Sequence, residues 1–172
     1  MEIATSQFGD PFVLLPRSLS EAWEDAIFDE EPGSCGGLAG EITTGESWMR
    51  IIPFRGAEVL QVGEQANEVY WLPAAEGGMF LEILGADSLD GLGEFALTVA
   101  SENNWTESLE VEIADGVLRF MAAFGLEGDG LSRIDISISP GRYRVDARYA
   151  ENSKVSAVIY RMAKMPEANM PL

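Results

Sequence analysis

The chain has 172 residues, 47% of them hydrophobic, and a formal net charge of −18. That length and apolar content suit one globular domain over residues 1–172, which buries roughly 70% of its unfolded surface. So negative a field excludes nucleic acid and anionic membranes as ready partners and speeds encounter with a basic protein.

Phe12 to Leu15 reads as a short buried strand that Pro16 ends. Ser18 and Glu21 have the spacing of a capping box. Leu19, Ala22, Trp23, Ala26 and Ile27 follow on one helical stripe, which predicts an amphipathic helix over 18–28. Its other face carries Ser20, Glu21, Glu24 and Asp25 and runs on into Asp29, Glu30 and Glu31. Such an acidic block at a helix C-terminus opposes the macrodipole, so local stability does not account for it. "PGSCGG" reads as a loop.

"WMRIIPF", "AEVLQV", "EVYWL" and "MFLEIL" are rich in β-branched and aromatic residues and separated by short turns. Such connections are too short for parallel crossovers, so antiparallel neighbours are expected. Ser88 to Ala100 places Leu89, Leu92, Ala96 and Val99 at helical spacing, with Gly91 and Gly93 weakening the pattern. Leu109, Val111 and Ile113 alternate with Glu110 and Glu112, and "ADG" before "VLRFMAAF" predicts a hairpin over 108–123. Ile134, Ile136 and Ile138 alternate with polar residues, and "SPGR" suggests a type II turn. Tyr143, Val145, Ala147 and Tyr149 then share one strand face, with Arg142, Arg144 and Arg148 on the other. Residues 155–163 give a last strand, followed by a tail expected to fray. The fold class is therefore α+β, a mainly antiparallel sheet with two covering helices.

Histidine is absent and Cys35 is the only cysteine. Ser-His-Asp and Cys-His catalysis, His-built zinc sites, an intrachain disulfide and an intrachain thiolate cluster are thereby excluded. Neither a P-loop nor a dinucleotide fingerprint occurs. No catalytic residue, metal or cofactor is expected. No apolar run approaches the ~20 residues of a membrane span, and "MEIATSQFGD" lacks a signal-peptide pattern, so the expected location is cytoplasmic.

Charge is unevenly spread, with 18 acidic against 3 basic residues in 1–100 and 11 against 8 in the remainder. Glu21, Glu24, Asp25, Asp29, Glu30 and Glu31 are therefore the candidate partner-binding residues. Trp23, Trp48 and Trp71 are expected in the core. Trp105, in the polar "SENNWTES", is either a binding anchor or a cap on the core. Glu110 and Glu112 are expected to neutralise the arginine stripe across the sheet.

"GDPFVLLPRSLSEAW", the acidic stretch leading to Cys35, "EVLQVGEQANEVYWLP", "GMFLEILGADS" and "SPGRYRVDARY" occur in this order. Together they resemble the immunity protein 21 family of bacterial polymorphic toxin systems, from about Phe8 to Met162. Gly9–Asp10 departs from the two glycines usual there. The resemblance implies a cytoplasmic inhibitor that binds a cognate toxin, and it carries over no catalytic residues. A toxin that cuts nucleic acid is basic where it holds phosphate, which fits an acidic inhibitor. Two other classes stay open. One is a β-rich small-molecule-binding or regulatory module with a pocket lined by Met79, Phe80 and Phe120. The other is a hydrolase using two carboxylates.

Overall fold

The computed structural model describes residues 1–6, 9–28, 37–43, 47–63, 68–124 and 133–166. The chain runs β1 (Glu2–Thr5), β2 (Phe12–Pro16), a 3-10 turn (Arg17–Leu19), α1 (Ser20–Phe28) and α2 (Gly37–Thr43). It continues through β3 (Met49–Phe54), β4 (Ala57–Val62), β5 (Glu68–Ala74), β6 (Gly77–Ala86) and α3 (Leu92–Ser101). It closes with β7 (Glu107–Ile113), β8 (Val117–Ala122), β9 (Ile134–Ser137), β10 (Gly141–Glu151) and β11 (Val155–Lys164). The strands form a six-stranded sheet, β1-β5-β6-β11-β10-β7, and a five-stranded sheet, β3-β4-β2-β8-β9. Every pairing among the described residues is antiparallel. The α+β class with mainly antiparallel sheet is what the residue pattern predicts.

The two sheets stack face to face. A column of rings joins them: Phe12 lies 5.2 Å from Phe120, Phe120 lies 4.4 Å from Phe80, and Phe80 lies 4.5 Å from Trp71. Phe12 and Phe120 belong to the five-stranded sheet, and Phe80 and Trp71 to the six-stranded one. Helices cover both outer faces. Trp23, Ile27 and Ile42 pack with Val13, Leu15, Ile52, Val59 and Met121 outside the smaller sheet. Leu92, Ala96 and Val99 of α3 pack with Leu81, Ala157 and Ile159 outside the larger.

This layering explains the sequence pattern. Phe12 to Leu15 are all buried because β2 is central in its sheet and covered on both faces, as a continuous apolar run requires. The edge strands β7 and β9 alternate instead, each burying one face.

Several local expectations are overturned by long-range pairing. The Asp115–Gly116 turn does not close a hairpin, since β7 pairs with β10 while β8 pairs with β2 and β9. Val111 and Ile113 meet Leu118 and Phe120 across the sandwich in one cluster, so the turn carries the chain from one sheet to the other. β4 and β5 likewise lie in different sheets, as do β9 and β10. Gly141, at φ +140°, opens β10 rather than occupying the type II position near +80°.

Among the described residues three α-helices, not two, cover the sheets, because Gly37–Thr43 forms α2 just beyond "PGSCG". The Ser18–Glu21 capping box is replaced by the 3-10 turn, which has no side-chain cap. The Ser20 hydroxyl donates to the Arg17 carbonyl at 2.9 Å instead. α3 starts at Leu92, leaving Leu89 exposed, with Gly91 at φ +79° just ahead of it. Trp48 precedes β3 and is half-buried against the inner core, whereas Trp23 and Trp71 are buried as expected. The expected fraying of the tail falls beyond the described residues from 167 onward.

Candidate functional site

Helix α1 is seated by its tryptophan. Trp23 is fully buried, meets Phe54 edge-on at 5.1 Å, and donates its indole N–H to the Ala123 carbonyl at 3.0 Å. With that face fixed, Glu21 and Asp25 project into solvent four residues apart, on one helical side. Neither has an ion-pair partner among the described residues. Like charges at this spacing destabilise a helix by about 0.2–0.5 kcal/mol, so folding alone does not favour them.

The third α1 acid behaves differently from expectation. Glu24 is half-buried rather than exposed, and its carboxylate sits 2.6 Å from the Arg133 guanidinium. Ser20, also expected on the open face, is 2% exposed and accepts from Arg119 at 3.2 Å. Arg119 donates through two nitrogens to the two oxygens of Asp135 at 2.9 and 3.3 Å, and Arg17 approaches the same carboxylate at 3.4 Å. The Arg119 hydrogen bond holds Asp135 below its usual carboxylate value against partial burial, with the Arg119 and Arg17 charges adding to it. The three arginines beside α1 are thus matched by Glu24 and Asp135, and the open acids of the helix are Glu21 and Asp25. Asp29, Glu30 and Glu31 lie outside the described residues.

Trp105 is on the opposite side of the molecule, in the cluster outside the larger sheet. Its half-buried ring lies 4.6 Å beneath the Arg161 guanidinium, a cation–π stack. Arg161 reaches Asp146 at 2.6 Å, and Ser108 donates to the same carboxylate at 2.8 Å. Trp105 therefore caps the core, and two sheets separate it from α1. The candidate residues do not form one surface.

The stripe on β10 is matched by acids from three places. Arg142 pairs with Glu110 at 2.9 Å, Arg144 with Asp146 at 3.2 Å, and Arg148 with Glu102 at 2.9 Å. Glu112 does not join them, since no ion pair involving it occurs among the described residues.

Two buried polar groups escape a reading by periodicity. Glu82 is 4% exposed between the sheets and accepts from the Tyr160 hydroxyl at 2.7 Å. That hydroxyl accepts from the Gly63 N–H at 3.1 Å. Burial, and then the Glu82 charge, pushes the Tyr160 phenol well above its usual value. Asp146 is 2% exposed on the outer face of β10. Glu82 interrupts the apolar stretch "FLEIL", which was the available signal, whereas Asp146 falls with Arg144 and Arg148 on the polar side of the strand and nothing local marks its burial.

The pocket expected from Met79, Phe80 and Phe120 does not form. Phe80 and Phe120 stack in the closed core, while Met79 points to the other face of β6, into the α3 cluster. No helix among the described residues is long and apolar enough to cross a membrane. No protein-family model, curated protein or solved structure matches this chain.

Proposed function

We propose that the protein is a cytoplasmic immunity protein, a stoichiometric inhibitor that binds a basic toxin and blocks it. The observation that carries this reading is the pair Glu21 and Asp25, held in solvent on one side of a helix whose neighbouring arginines are already matched. Three further acids follow in sequence, and the chain as a whole carries −18. An acidic surface of this kind is complementary to the basic cleft in which a nuclease grips phosphate. The resemblance to immunity protein 21 points the same way.

A toxin domain encoded beside the gene, which this reading expects, is the probe. Mixed with the purified protein, it should co-elute as a complex of fixed stoichiometry and lose its activity when one equivalent has been added. Absence of a complex, or neutralisation at far below one equivalent with turnover of the toxin, overturns the proposal.

A further inference from the structure

At one end of the sandwich, three chain segments frame a cavity over the inner core. β2 ends at Pro16, the β7–β8 connection passes from sheet to sheet, and the β3–β4 hairpin turns at Arg55–Gly56. Arg55 and Gly56 have φ of +47° and +82°, the signs a type I′ turn requires. The resulting cavity is about 230 Å³ and is walled by Pro16, Ala57, Ile113, Ala114 and Leu118. Ile113 and Leu118 are 4% and 1% exposed, so the floor is the core itself.

One carboxylate in this wall is aimed and held. Glu58 follows the same alternation as Leu60 and Val62, which face the inner core, so an acid stands where the next apolar residue would fall. It reaches across to the other sheet, where its Oε2 accepts from the Glu112 N–H at 2.6 Å. Glu58 is exposed and has no ion-pair partner among the described residues. The nearest arginines in sequence are directed elsewhere, Arg55 over the Phe54 ring and Arg50 to the Gln61 side chain.

We infer that this cavity is a socket for one basic side chain, an arginine or lysine of the protein partner. Its volume lies below the ~300–1,000 Å³ of sites that enclose cofactors or drug-sized ligands. An aliphatic stem against apolar walls with a cationic head on a fixed carboxylate satisfies both halves of the lining. Charge complementarity selects this occupant over a neutral aliphatic one. A long basic residue seated in a pocket is also how interfaces concentrate binding energy. The inference rests on the reading of a basic partner, and it adds where that partner would insert.

The test does not need the toxin. Methyl-labelled protein is titrated with acetyl-arginine amide, acetyl-lysine amide and acetyl-norleucine amide, following the methyls of Ala57, Ile113, Ala114 and Leu118. Saturable shifts are expected with the two basic amides, about two- to fivefold tighter than with norleucine, the range of a single partly exposed ion pair. Glu58→Gln, which keeps an acceptor for Glu112, should remove that preference, and Ala114→Leu should abolish the shifts by filling the space. Glu94→Gln, on the exposed side of α3, should change nothing here. No saturable shift at these methyls, or equal response to norleucine, overturns the socket. In either case toxin binding through α1 can still be observed, so the two readings fail separately.

Discussion

The Tyr160 hydroxyl occupies a position where a single oxygen serves both sheets. It accepts from Gly63, at the end of β4 in the smaller sheet, and donates to Glu82 in the larger. Removing it takes one of two acceptors from the Gly63 N–H, which also donates to the Trp48 carbonyl at 3.0 Å, and withdraws one donor from a carboxylate that is 4% exposed. Tyr160→Phe should therefore lower stability by about 1–3 kcal/mol, read from the denaturant midpoint. The pH dependence follows from the raised phenol. A group held protonated in the fold contributes fully below its unfolded value near 10, and that contribution is lost as pH rises above it towards the folded value. Wild type should thus lose more stability between neutral pH and strong alkali than Tyr160→Phe does. Equal alkaline limbs would show that Tyr160 ionises as it does in the unfolded chain.

Among the elements, β6 shows how tightly the sheet is built where a glycine allows it. A Cβ on Gly78 would lie 2.3 Å from the Trp71 ring and 2.7 Å from the Leu72 carbonyl. Neither can retreat easily, because the ring is wedged against Phe80 and the carbonyl belongs to β5. Gly78→Ala should cost about 1–3 kcal/mol by overpacking, whereas Gly93→Ala, with open space around it, should be neutral or stabilising. Denaturant midpoints for the two variants check this, and equal effects would contradict the packing described.

The same scale shows what was legible in the sequence. β2 to β11 and the amphipathic helices α1 and α3 follow from alternation, apolar runs and turn residues, whereas β1, the four residues "EIAT" ahead of the first apolar run, was not expected. Their partners do not. "ADG" has the same local chemistry whether the strands beside it pair or face each other across a core, and only β10 and β2, distant in sequence, decide between the two. α1 was readable from its stripe, but the burial of Glu24 against Arg133 depends on a contact more than one hundred positions away. The exposure of Glu21 and Asp25 required only helical geometry.

Over the whole molecule, charge and layering act together. The sandwich places α1 and Trp105 on opposite outer faces, so one partner of ordinary size is not expected to cover both. The arginines beside α1 and on β10 are paired with acids, which leaves the negative excess to unpaired carboxylates such as Glu21, Asp25 and Glu58. Such a field acts first on encounter, raising the association rate with a basic protein in a way that salt suppresses.

The association rate of the protein with a basic toxin domain of the kind the proposed function expects, measured at low and high salt for wild type and for the double variant Glu21→Lys, Asp25→Lys, tests this most directly. Both positions are exposed, so the variant should fold as wild type does. Wild type should associate fast at low salt and slow steeply as salt rises, and the reversal should lower the low-salt rate by about tenfold or more and flatten the slope. Identical rates and identical salt slopes for the two proteins would contradict the assignment of α1 as the docking surface for a basic toxin.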